Sequence, residues 1–248
     1  MKTKARASGL SDIGRVRDTN EDQFLVDEEH GLYAVADGMG GHAAGEIASE
    51  LAIQSLAEEM QGAFRGGGIG TAEEARRHLA DAVSAANRKI CQSIVEHQDR
   101  RGMGTTMVAM LVLRDRVVVG HVGDSRAYLL RGGQLRMLTS DHSWVNEQVK
   151  LGFLSHQEAH RHPMRNVVTR ALGSRGVVNA ELTEERIESG DAFVLCSDGL
   201  NVMLSDDAIR DALLGRADDP EEACRALVDE ANRKGGEDNT TVVVVSFP

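Results

Sequence analysis

Thr106-Met107-Val108-Ala109-Met110-Leu111-Val112-Leu113 is followed, after Arg114-Asp115-Arg116, by Val117-Val118-Val119-Gly120-His121-Val122, and this second run leads into Gly123-Asp124. Both runs are apolar almost without interruption. A strand with one wet face alternates apolar and polar residues, so these two predict strands covered on both faces. The Arg114-Asp115 connection is too short for a crossover and predicts an antiparallel hairpin, as does Gly132-Gly133 further on. The same texture recurs at Gly31 to Ala36, Ala192 to Cys196 and Thr241 to Val245.

Helices are written differently. A helix is predicted from about His42 to Met60, with Ile47, Leu51 and Leu56 on one side. After the glycine-rich loop Gly66-Gly67-Gly68-Ile69-Gly70, Thr71-Ala72-Glu73-Glu74 forms a capping-box pattern, and Ala75, Leu79, Val83, Ala86, Ile90 and Ile94 recur at helical period. Late in the chain Asp219-Pro220-Glu221-Glu222 opens a helix that Gly235-Gly236 closes. Two long helices precede most of the strands, which is not βαβ alternation; it predicts an α+β domain with helices packed outside antiparallel sheets.

Composition narrows the function. The 248 residues carry a formal net charge of −11 and only 3% aromatics, so the core is built from aliphatic side chains. No basic face is visible for nucleic acid, where phosphate contacts dominate affinity. No apolar run approaches a membrane span, and no leader-like apolar stretch opens the sequence. Three scattered cysteines, Cys91, Cys196 and Cys224, fit reduced thiols in the cytoplasm better than a disulfide framework.

The chemistry lies in acids at the ends of apolar runs. Tyr33-Ala34-Val35-Ala36 leads into Asp37-Gly38, Val122 into Gly123-Asp124, Cys196 into Ser197-Asp198-Gly199, and Asp238-Asn239 leads into the last strand. Glu21 and Asp22 precede the Gln23 to Val26 strand. One Asp-Gly is a turn. Several converging carboxylates repel one another unless cations neutralise them, and ligands that are all oxygen suit Mg²⁺ or Mn²⁺. Two such ions can activate water and clamp a phosphoryl oxygen.

At this point the sequence resembles the metal-dependent protein phosphatases of the PP2C type, in particular their compact bacterial members. The resemblance rests on ordered motifs over nearly the whole chain: Arg17-Asp18-Thr19-Asn20-Glu21-Asp22, Val35-Ala36-Asp37-Gly38-Met39-Gly40-Gly41-His42, Gly104-Thr105-Thr106, Val122-Gly123-Asp124-Ser125-Arg126, Asp141-His142-Ser143, Thr169-Arg170-Ala171-Leu172-Gly173, Cys196-Ser197-Asp198-Gly199-Leu200 and Glu237-Asp238-Asn239-Thr240-Thr241. Each alone is weak, and their order is specific.

The resemblance implies a four-layer α-β-β-α sandwich, two antiparallel sheets flanked by helix pairs, with residues 1–248 as one domain and a flap at about 141–172. It implies Mn²⁺ or Mg²⁺, two per site, with Asp37, Asp198 and Asp238 on the first ion and Glu21, Asp37 and the Gly38 carbonyl on the second. Asp124 with Asp198 matches a third, weaker site. Arg17 matches the phosphate-binding arginine, whose fork can take two oxygens at once. The implied reaction is direct hydrolysis of phosphoserine and phosphothreonine by water activated between two ions. The implied partners are phosphorylated proteins and a cognate Ser/Thr kinase, with no nucleic acid or membrane partner and a monomeric enzyme. Met39 stands where some relatives carry a histidine that can protonate the leaving oxygen, which leaves a metal-bound water or one of His42, His142, His156, His160 and His162 for that role. Val202 stands where many carry an acid or amide. Around Trp144, the residues Leu151, Phe153 and Leu154 are read both as a small satellite core and as a wall beside the site.

Overall fold

The computed structural model describes residues 5–40, 44–174 and 176–248. Its elements in chain order are β1 (Arg6–Asp12), β2 (Asp22–Asp27), β3 (Leu32–Met39), α1 (Ala44–Arg65), α2 (Ala72–Glu96), β4 (Gly104–Thr105), β5 (Met107–Val112), β6 (Arg116–Val122), β7 (Arg126–Arg131) and β8 (Gln134–Met137). There follow α3 (Trp144–Lys150), α4 (His156–Arg161), β9 (Glu181–Arg186), β10 (Asp191–Cys196), α5 (Asp198–Met203), α6 (Asp206–Leu213), α7 (Pro220–Arg233) and β11 (Thr240–Phe247). One sheet has the order β2-β3-β5-β6-β9, and the other β1-β11-β10-β7-β8. The pairings within both are antiparallel.

The uninterrupted apolar runs now have a cause. Along β3, Tyr33 and Val35 enter the core between the sheets, while Ala34 and Ala36 enter the core beneath α1 and α2. In β10, Phe193 and Leu195 face the other sheet, while Ala192, Val194 and Cys196 lie under the opposite helical layer with α5, α6 and α7. These two strands therefore bury both of their faces, and period-2 alternation has no polar side to display. Alanines at the sheet–helix contact, Ala34 and Ala36 against Ala48 and Ala52, supply small side chains where the helix meets the sheet. The architecture is the four-layer α-β-β-α sandwich expected.

The predicted elements hold, with shifted ends. The Thr71 capping box is formed and the α2 stripe from Ala75 to Ile90 is buried. The Asp219 side chain accepts from the Glu222 amide at the start of α7. α1 runs on to Arg65 rather than stopping at Met60. The predicted start near His42 lies outside the described residues. β3 does not end at Ala36 but continues through Asp37-Gly38 to Met39, because β4 extends the sheet alongside it with Gly38 opposite Thr105. Asp37 is therefore a residue within a strand. β9, with the sequence ELTEER, carries no apolar signature because it is an edge strand.

Leu151 and Phe153 do not join the satellite core read around Trp144. Leu151 and Phe153 are 66% and 74% exposed, and Trp144 instead packs against the His162 ring with centroids 4.9 Å apart. The loop between α3 and α4 turns these side chains outward.

Phe193 is fully buried between the sheets and meets Phe247 edge-on at 5.7 Å. Phe193→Ala should cost about 3–5 kcal/mol of stability by urea unfolding, and Phe193→Leu much less. Equal costs would show that the inter-sheet space closes around the loss.

Candidate active site

The registers bring one end of both sheets together. Asp22 pairs with Asp37 across β2 and β3, and Met107 pairs with Val122, so β2, β3, β5 and β6 share that end. In the other sheet Cys196 lies opposite both Arg126 and Val242. Asp124 sits in the turn from β6 to β7, Asp198 opens α5 directly after β10, and Asp238 lies just before β11.

The residues expected to bind metal and phosphate line one cavity of about 620 Å³: Arg17, Glu21, Asp37, Gly38, Asp124, Asp198 and Asp238. The backbone around them is tightly tied. The Asp37 amide donates to Thr106 Oγ1 at 3.0 Å, and its carbonyl accepts from the Thr105 hydroxyl at 2.8 Å and the Thr106 amide at 2.9 Å. The Glu21 carbonyl accepts from the Gly38 amide at 3.1 Å and from Ser49 Oγ at 2.6 Å. Two glycines are required by close approach: a Cβ on Gly38 would lie 2.1 Å from the Gly45 carbonyl, and one on Gly199 would lie 2.0 Å from the Asn239 carbonyl.

Asn239 was quoted only as part of a motif, yet it organises the Asp238 side. Its Oδ1 accepts from the Glu21 amide at 2.9 Å, and its Nδ2 donates to the carbonyls of Ile13 and Thr19 at 2.9 and 2.8 Å. Thr106 was likewise passed over, as was Asn166, which reaches the cavity wall from the flap. No local pattern marks Asn166. Asp22 lies buried beneath and accepts from Ser197 Oγ at 2.7 Å, which makes it a strut rather than a lining residue.

The electrostatics are those of crowded, poorly hydrated acids. Burial first, and the neighbouring acids Asp22, Asp198, Asp124 and Asp238 after it, hold the Asp37 carboxyl well above the usual range. Burial, with Asp198 and Asp238 adding to it, raises Asp22 to about 7; burial, then Asp198 and Asp141, raises Asp124 to about 7. Burial and Asp238 raise Asp198 to about 6, while a carboxyl hydrogen bond shared with Asp37 works the other way. Burial also raises Glu21. The counter-charge at the cavity wall is Arg17, whose Nη2 lies 2.6 Å from Asp238 Oδ2. The remaining donors are carboxylate, amide and hydroxyl oxygens and backbone carbonyls, with no imidazole or thiol among the described lining residues. That donor set fits hard divalent cations.

Other sequence features fall outside this cavity. Asn201 and Val202 line a neighbouring cavity of about 470 Å³, together with His156 and His160 of α4, and there the Asn201 Oδ1 is buried without a partner among the described residues. Asp124, Asp198 and Asn166 belong to the walls of both cavities. His42 lies outside the described residues. Cys196 is no nucleophile, since burial pushes its thiol up to about 12.

A family model described as Protein phosphatase 2C matches residues 15–230. The chain belongs to the protein phosphatase 2C family. A Listeria welshimeri serine/threonine phosphatase, stp, is 38% identical over 238 residues, covering 95% of this chain and 93% of the relative. The crystal structure of the Mycobacterium tuberculosis serine/threonine phosphatase PstP superposes with a TM-score of 0.89 at 40% identity, covering 98% of each chain. A structure of the PstP catalytic domain in complex with two manganese ions superposes with a TM-score of 0.86 at 39% identity, covering 98% of this chain and 97% of that one. Among the described residues of this PP2C-family chain, no helix is long and apolar enough to cross a membrane.

The raised acids make a pH prediction for the metal-free protein. A carboxyl whose folded pKa lies above its unfolded value binds more protons folded than unfolded within that window, so stability falls as pH rises through it. The window runs from the ordinary 3.8 to about 7. In chelator the melting temperature should drop by about 5 °C or more from pH 5 to pH 7.5, and Asp37→Asn should flatten the slope. The gain from added Mn²⁺ should grow over the same range, because cations displace those protons. A metal-free melting temperature that rises steadily with pH would contradict the crowding of these acids.

Proposed function

We propose that the acid-lined cavity is the catalytic centre of this metal-dependent serine/threonine protein phosphatase. The reading is carried by one observation: Glu21, Asp37, Asp124, Asp198 and Asp238 line a single cavity whose wall holds, among the described residues, one cationic side chain, Arg17. Asp37, Asp198 and Asp238 would hold one cation, Glu21, Asp37 and the Gly38 carbonyl a second, and Asp124 with Asp198 a weaker third. Bound Mn²⁺ or Mg²⁺ supplies the charge that makes water nucleophilic near neutral pH and offsets the charge of the phosphoryl group. The burial of the acids supports this, because a site that is costly to ionise alone gains most from a cation.

The protein's own groups divide the remaining work. Thr105 and Thr106 grip both sides of the Asp37 peptide and fix where its carboxylate points. Asn239 holds the Glu21 segment against the start of β11. Arg17 is half-exposed and paired with Asp238. Arg17 would take two phosphoryl oxygens in its planar fork and so position phosphorus for attack. Met39 lines the cavity and has no proton to give, and no described histidine lines it. The substrates are phosphorylated proteins, and the enzyme works opposite a Ser/Thr kinase as a cytoplasmic monomer. Residues 1–248 form one phosphatase domain, with the flap at about 141–172 as a side wall of the cavity.

Phosphate release from a phosphothreonine peptide tests the reading directly. Chelator should abolish it, Mn²⁺ should restore it, and Asp37→Ala should lose nearly all turnover while its metal-free form melts no lower than wild type. Full turnover in excess chelator would sink the metal-dependent mechanism.

Arg17→Ala should raise KM for the peptide about 10- to 100-fold, the range expected for losing a charged hydrogen-bonding partner. Its tight Mn²⁺ binding, read by calorimetry, should not weaken. Unchanged kinetics would leave Arg17 as a partner of Asp238 alone.

A further inference from the structure

His142 lies outside the acid cavity at a junction of four segments. Its amide donates to the Gly123 carbonyl at 2.9 Å, and its own carbonyl accepts from the Thr169 amide at 2.8 Å. Its Nδ1 accepts from the Gly123 amide at 3.1 Å. Its Nε2 lies 3.3 Å from Glu181 Oε2 and 3.3 Å from an Arg170 guanidinium nitrogen. The ring is buried and stacks on His121, with centroids 4.7 Å apart and planes 12° apart.

His121, His142 and Glu181 offer ligand atoms within 4.8 Å of one another, a spacing that invites a zinc reading. The hydrogen bonds argue against it. A ring nitrogen that accepts an N–H uses its lone pair, so the neutral His142 ring carries its proton on Nε2, directed at Glu181. A metal on Nε2 would leave Nδ1 without a proton as well, and the ring would have to become an imidazolate. His121 Nε2 faces the Ser140 carbonyl at 3.0 Å and must donate there. The cluster is a latch built from hydrogen bonds.

What it latches is the turn that carries Asp124. Gly123 has φ +104°, and a Cβ there would lie 2.6 Å from Thr106 Cγ2. The turn is thus held between Thr106 on one side and His142 on the other, and Ser125 Oγ meets Thr106 Oγ1 at 2.6 Å. The residues after His142 form the root of the flap: Ser143 bridges Val168, and the Trp144 amide donates to the Val167 carbonyl at 2.8 Å. Asn166, one residue beyond that contact, lines the acid cavity.

We propose that His142 is a positioning residue: by accepting the Gly123 amide it fixes Asp124 and couples a cation held there to the root of the flap. This rests on the reading of Asp124 as a ligand of the weaker site. A cation on the Asp124 turn would then be felt at the root of the flap. His142 transmits the coupling through the two-way hydrogen bond to Gly123 and the Thr169 contact.

Trp144, the single tryptophan, reports the flap root from two residues away. The experiment is a titration of the metal-free protein with Mg²⁺, which does not quench fluorescence as a paramagnetic ion does. Heat and Trp144 emission are followed together. Wild type should show tight binding and a weaker event, with the emission change accompanying the weaker one. Asp124→Ala should remove the weaker event and its emission change. His142→Ala should weaken that event about tenfold, the cost of one buried hydrogen bond, and uncouple the emission from it, while tight binding stays. His142→Asn can accept the Gly123 amide through Oδ1 and should stay within about threefold of wild type. His142→Gln, with its acceptor one bond further out, should behave like alanine. An unchanged weak event and emission in His142→Ala would overturn the proposal, as would Asn and Gln behaving alike, a comparison that decides the matter even if the alanine variant does not fold. A wild type with no weaker event would instead bring down the reading of Asp124 itself, and is told apart because wild type alone reveals it.

Discussion

Carboxylates gathered in a partly buried cavity repel one another, and those set deepest lose hydration they would have in solution. Five of them share one cavity here, and the structure around them is arranged to hold that unfavourable group in place. Burial and mutual repulsion push Asp124 up to about 7 and Asp198 up to about 6, and Asp22 beneath them up to about 7. A fold that carries such a load without cations must be stiff, because any loose segment would swing its acid out to water.

The stiffness comes from the two packed sheets. With both faces of the central strands buried, a shift of register by one residue would exchange an inter-sheet side chain for a helix-facing one along the whole strand. Register is therefore fixed, and it fixes the acids in turn: Asp37 opposite Asp22, and Asp124 just past the end of β6. Local ties complete the job. Thr105 and Thr106 secure Asp37, Asn239 secures Glu21, and His142 secures the Asp124 turn. The tip of the flap stands outside this framework, with Leu151 and Phe153 in solvent. The flap is joined to the acid site through the His142 junction, through the Thr105–Leu172 bridge and through the Arg126–Asp141 pair.

Much of this was legible in the residues. The unbroken apolar runs identify strands buried on both faces, because polar residues on either face would have been left without water. Capping signals at Thr71 and Asp219 fix helix starts, because they satisfy amides that nothing else in the chain satisfies. The acids beside glycine stood out because apolar strands do not otherwise end in clustered carboxylates. β9 was invisible, since an edge strand with Arg116 and Glu184 paired across it has no need of an apolar pattern. Leu151 and Phe153 were misleading, because an apolar residue on a loop gives no sign of which way it faces.

The sequence by itself determined the α+β class, the antiparallel hairpins and the set of acids, because each of these is written in a local pattern of a few residues, and the order of its motifs along the chain carried the family resemblance and with it the four layers. The tertiary structure alone decided that Asp37 lies within a strand, that Arg17 rests on Asp238, and that Asn166, Thr106 and Asn239 belong to the site. It also decided that His142 grips Gly123 across 19 residues of chain. The reason is the same in every case: these are contacts between segments distant in sequence, set by sheet register and by which loop closes over which, and no local period encodes them.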